Sequence, residues 1–163
     1  MTPPWLAIAQ LFKVTKEVPG AVDNPLILGW AKEIGGWEAS FYVHDSLPWC
    51  GLFVAICCKR ANIPVAMNFL GAKNWATWGQ ALDKSVPGAV MVFERLGGGH
   101  VAFYAGEDAD SYHTLGGNQS DSVCITRMPK SRCIAIRWPA SVTPYGEPVQ
   151  LTASGQALST NEA

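Results

Sequence analysis

Cys50 stands in "LPWCGLF", directly after a proline and a tryptophan and at the front of the apolar run 50–61. A thiol attacks well only once it ionises, and the unpaired N–H groups and dipole of a helix N-terminus favour the thiolate. Cys57 and Cys58 lie two turns further in and read as core filling. Gly51, beside the thiol, leaves space for a substrate backbone. A base comes from "GGGHVAFYAG", where His100 opens a predicted strand behind three glycines. "TLGGNQSD" places Asn118 at the end of the next predicted strand. If strands 100–105 and 111–117 form a hairpin, Asn118 returns to His100 and its carboxamide oxygen can fix the imidazole tautomer. Thiol, imidazole and carboxamide together suit nucleophilic acyl transfer.

Each residue also has a structural reading. Cys50 can be a small buried side chain, His100 a core histidine bonded to a carbonyl, and Asn118 a turn residue tolerant of positive φ. Their joint occurrence, at the right element ends, favours the catalytic set. His113 is the alternative base, and His44 ranks behind it. The oxyanion donors are expected to be the Cys50 N–H and the side chain of Gln119 or Asn74. Trp49, Trp75, Trp78 and Tyr42 are candidate walls of a substrate groove, with core packing as the competing reading.

The 163 residues are 48% hydrophobic and 15% charged, with net charge −1. That composition suits one compact domain and offers no basic field for nucleic acid or anionic lipid. No apolar run approaches the ~20 residues of a membrane helix. "MTPPWLAIAQLFKV" lacks a basic leader region, so no classical signal peptide is expected; the chain is expected to be made in the cytoplasm and either to work there or to leave by lysis or a dedicated export route. Five cysteines form no CxxC pair. With His44, His100 and His113 they do not match the spacing of closed zinc sites, so no metal or cofactor is expected.

The first half reads as helical. A helix follows Pro3 and Pro4 through "WLAIAQLFKVTKE"; a second, "PLILGWAKEIGG", starts after Asn24; a third spans 50–61; and "AKNWATWGQAL" forms a short fourth segment. The second half changes period. "GAVMVFE", "HVAFYAG", "SYHTLGG", "SVCITRM" and "CIAIRWP" read as strands of an antiparallel sheet. The class is therefore α+β, with N-terminal helices packed on one side of the sheet. Residues 140–163 are polar and small, and read as a tail or linker following a domain at 1–139.

"WCGLFVAICCKRANIP", "PGAVMVFERLGGGHVAFYAG", "LGGNQSDSVCI" and "IAIRWP" resemble the CHAP group (cysteine, histidine-dependent amidohydrolases/peptidases) and the neighbouring NlpC-type peptidases. The resemblance covers roughly residues 5–139. It implies a papain-like α+β fold and hydrolysis of an amide bond in or at the stem peptide of peptidoglycan. Matching positions make Cys50 the nucleophile, His100 the base and Asn118 the orienting group. Many members carry a glutamate two residues before that asparagine. Here the position is Gly116, so Asn118 acts alone or with Gln119 or Asp121. Only Asp45 precedes the cysteine where some phage members bind calcium, so calcium is not expected. The implied partner is peptidoglycan, met by a monomer as an endolysin-like or wall-lytic protein. An interbacterial toxin, or a wall-binding module without catalysis, are the alternatives. A holin or immunity partner is left open.

Overall fold

A computed structural model of the chain describes residues 1–13, 15–16, 23–45 and 47–156. Four α-helices come first: α1 (Pro4–Leu11), α2 (Pro25–Ile34), α3 (Trp37–Phe41) and α4 (Cys50–Arg60). Pro4 occupies the first turn of α1, where a missing N–H costs nothing. Trp5 of α1 anchors that helix, donating through Nε1 to the Gly88 carbonyl at 2.8 Å and meeting the Trp138 ring edge-on. Asn24 caps α2 by accepting from the Leu26 N–H at 2.9 Å, as its place before Pro25 predicts. Part of the turn expected between α1 and α2, residues 18–22, lies outside the described residues, as do residues 157–163.

The strands are β1 (Gln80–Ala81), β2 (Val90–Arg95), β3 (Gly98–Glu107), β4 (Ser111–Gln119), β5 (Ser122–Pro129) and β6 (Cys133–Trp138). They form one antiparallel sheet in the order β1-β6-β2-β3-β4-β5. The domain is thus α+β. β2 to β5 pair in chain order, and β6 returns to the free edge of β2. Among the described residues no helix is long and apolar enough to cross a membrane.

α4 is the central helix, and its residues 50–58 are all buried. It packs on β3 and β4, with Phe53 edge-on to Phe103 at 6.2 Å. Left-handed Asn62 (φ 60) ends it, letting the Ile63 N–H reach back to the Cys58 carbonyl at 2.9 Å.

Four expectations change. The first helix, expected to run on through Lys16, ends at Leu11, and Thr15 and Lys16 instead pair with the start of β5, where the Val123 N–H donates to the Thr15 carbonyl at 2.7 Å. "AKNWATWGQAL" is a 3-10 helix, Ala72–Thr77, followed by β1, because Trp75 and Trp78 turn their Nε1 atoms to the carbonyls of Phe69 and Pro64. The short helix α3 follows Gly35 and Gly36, where the second expected helix stops. Residues 140–156, expected as a loose tail, continue onto the domain. Tyr145 stacks edge-on against Trp138, and the Glu107 backbone exchanges hydrogen bonds with Val149 and Leu151 at 2.8 and 2.7 Å. β2 ends opposite Phe103, so beyond it the edge of β3 is open and the returning segment fills it.

Candidate active site

Cys50 is the first residue of α4, and no side chain caps the helix start. The amides of Cys50 and Gly51 therefore remain uncapped, and their N–H dipoles favour negative charge on the sulfur. A third N–H that favours the charged sulfur is that of Val101 in β3. It is available because the β3–β4 ladder runs only to Phe103↔Leu115, and the strands part before Val101. The thiol thus sits against β3 at the residue next to His100. It is only 6% exposed. Burial pushes its pKa up, and the three N–H groups with the Arg95 charge oppose that rise without reversing it. The resting group is a neutral thiol, contrary to the thiolate that a helix N-terminus by itself suggests.

His100 is also buried, and desolvation holds its pKa below the ordinary imidazole value despite its hydrogen bond. Its Nε2 lies 2.8 Å from Oε1 of Gln119. The Gln119 amide nitrogen donates to the carbonyls of Thr114 (3.1 Å) and Cys124 (2.6 Å), which accept only. Its oxygen must therefore face the Thr114 hydroxyl (3.2 Å) and the His100 ring. It follows that His100 carries its proton on Nε2 and keeps Nδ1 as a basic lone pair. Cys50 and His100 make no direct hydrogen bond among the described residues.

The carboxamide that meets His100 is thus that of Gln119, where a simple hairpin predicts Asn118. The hairpin forms, but a bulge between Gly116 and Gln119 shifts the register, and Asn118 takes φ 56. A bulge turns the next side chain to the other face, so Gln119 points where strand alternation would aim Asn118. Ser120 and Asp121 follow in a two-residue turn with φ 51 and 58, and Ser122 Oγ donates to the Gln119 carbonyl at 2.9 Å. Asp121 belongs to that turn. Gly116 completes the arrangement: a Cβ there would stand 2.8 Å from Gln119 Oε1 and 2.7 Å from Ala102 Cβ. The absent side chain at Gly116 leaves a gap that the Gln119 carboxamide fills.

Other expected site residues sit elsewhere. Gly51 is buried, and a Cβ on it would overlap the Phe69 carbonyl oxygen, so the glycine serves packing and leaves no space for substrate. Trp49, Trp75 and Tyr42 are core residues: Trp49 packs on Trp30, Trp75 on Trp78, and the Tyr42 hydroxyl donates to the Leu47 carbonyl. Trp78 is half-buried and borders a surface hollow with Val65. Both N–H groups of the Gln119 amide are used, on the Thr114 and Cys124 carbonyls, so Gln119 is not an oxyanion donor; Asn74 is exposed and gives one of its two N–H groups to the Asn68 carbonyl at 2.8 Å. His113 pairs with Gly106, six residues along β3 from His100, about 20 Å at ~3.3 Å per residue. It is buried against Asp108 (2.6 Å), which Arg127 also binds, and lies too far away to act as base. Exposed His44 binds Asp23 at 3.1 Å. No group of three metal-ligating side chains occurs among the described residues.

A cavity of about 270 Å³ opens on His100, Asn118 and Gln119; Cys50 does not line it. With imidazole pKa lowered and thiol pKa raised, a reaction using both in neutral form has a broad plateau across neutral pH. Its acid limb is expected below the ordinary histidine value of ~6.5 and its alkaline change above the ordinary thiol value of ~8.5. Iodoacetamide labelling of Cys50 should likewise be slow at pH 7 and accelerate above pH 9. Rapid labelling at pH 6 would show a stabilised thiolate instead.

Compared with known proteins, the chain matches no protein-family model and no curated protein.

Proposed function

We propose that the chain is a papain-like thiol hydrolase that cleaves an amide bond in or at the stem peptide of peptidoglycan. The observation that carries this reading is a tautomer-fixed imidazole on β3 with the thiol that starts α4 lying against the next β3 residue, Val101. Cys50 attacks the scissile carbonyl as its proton passes to His100 Nδ1, which requires the thiol to rotate towards the ring once substrate is bound. Gln119 Oε1 then stabilises the imidazolium through Nε2–H, and the Arg95 charge favours the developing thiolate. The imidazolium returns the proton to the leaving amine. Water activated by His100 hydrolyses the thioester and frees Cys50. The substrate class rests on the motif resemblance. Purified cell walls incubated with the protein should release new amino groups, and mass spectrometry of the fragments should locate the bond. Walls left intact across pH 5–9 would overturn the peptidoglycan assignment.

A second reading is a wall-binding module of the same fold without catalysis. The buried, neutral thiol and its lack of a hydrogen bond to His100 favour it. It predicts that the protein sediments with walls and releases no amines.

A further inference from the structure

The five arginines of the chain are engaged very differently. Arg60 grips Glu33, Arg127 grips Asp108 and Asp110, and Arg137 binds the carbonyls of Trp78 and Gly79. Arg132 uses only Nε, on the Glu94 carbonyl at 2.8 Å. Arg95 has no hydrogen-bond or ion-pair partner among the described residues. The nearby carboxylate of Glu94 is occupied by Lys73 at 2.8 Å. Arg95 and Arg132 both border the 270 Å³ cavity that reaches His100; Asn118, Gln119, Thr126, Met128 and the carboxylate-paired Arg127 supply its other walls. Of the three arginines at this cleft, Arg127 is neutralised by Asp108 and Asp110, and Arg95 and Arg132 face it without a carboxylate, beside a buried imidazole. Like charges held together at a cleft raise the local concentration of anions.

We propose that this cleft is a subsite for a carboxylate of the peptide substrate, with Arg95 as its principal ligand and Arg132 as the second. The carboxylate as ligand class rests on the peptide-hydrolase reading, because the anionic groups of a stem peptide are carboxylates. Guanidinium groups match them with paired, charge-assisted hydrogen bonds.

The test uses equilibrium binding to the full chain carrying Cys50→Ala, so that no turnover intervenes. The probes are a synthetic stem peptide with free carboxylates and the same peptide fully amidated. The free acid should bind at least about tenfold more tightly, as one charge-assisted contact commonly provides. Arg95→Gln should remove that preference and leave binding of the amidated peptide unchanged, and Arg95→Lys should restore part of it. Added salt should weaken only the acid form. Equal affinity for the two peptides, or a preference that survives Arg95→Gln with Arg132→Gln, would overturn the subsite. Because the readout is binding, a wild-type protein that cleaves walls but shows no such preference refutes the subsite alone. One that prefers the acid but never cleaves refutes the hydrolase reading alone.

Discussion

Cys50→Ala is expected to reduce amine release from purified cell walls by about 10³-fold or more, to background, while the protein stays folded. The loss follows from the absence of a replacement nucleophile. Cys57 and Cys58 are fully buried within α4, and burial raises both thiols well above their ordinary value. Cys124 directs its sulfur to the Gln119 carbonyl at 3.3 Å, and Cys133 directs its own to the Ala135 carbonyl at 3.5 Å. Removing a covalent nucleophile from an interdependent set costs nearly the whole catalytic effect. The structural cost is small by comparison. Alanine deletes one sulfur from a helix-start position, and no other side chain depends on it for a hydrogen bond. A cost of about 1 kcal/mol corresponds to a few degrees in melting temperature for a domain of this size. The measurement is amine release alongside a thermal melt. Retained lysis by the folded variant removes Cys50 as nucleophile. Equal wall sedimentation by variant and wild type, with neither releasing amines, leaves the binding-module reading in its place.

Gln119→Ala is expected to lower kcat by about 10²- to 10⁴-fold, the range in which loss of a tautomer-fixing partner falls in hydrolases of this logic. Asn118→Ala should change kcat only severalfold. The contrast isolates the orienting role, because the two residues are adjacent but only Gln119 meets the imidazole. Without the Gln119 oxygen, the proton of His100 is free to occupy Nδ1, the nitrogen that has to accept from the thiol. Gln119→Ala also strands the carbonyls of Thr114 and Cys124, so some loss of stability accompanies it. A pH profile separates the two effects. Gln119→Glu puts a carboxylate on Nε2, which favours imidazolium and should move the acid limb of kcat/KM to higher pH than in the wild type. A merely structural role would leave that limb in place. If Asn118→Ala proves the damaging variant, the bulge does not direct the site.

The helical first half and stranded second half were legible because periodicity and punctuation residues act locally. Pro25 after Asn24 starts α2 as expected, and Asn62 before Pro64 ends α4. The same local signals placed Cys50 at a helix start and His100 in a strand behind glycines. Three things were decided only in three dimensions. A single left-handed residue at 118 reversed strand alternation, and one-residue shifts exchange faces entirely, so the carboxamide at His100 belongs to Gln119. Tryptophans that suit a sugar-binding wall went to the core because large rings gain most from burial: Trp49 meets Trp30, and Trp75 is sealed under Trp78. Residues 140–156 gained order from the unpaired edge of β3 beyond Phe103, a partner that their own polar composition does not reveal. Composition and spacing thus determined the elements and the residue types at their ends. Which side chains met, and how far burial shifted their proton affinities, depended on contacts between segments far apart in the chain.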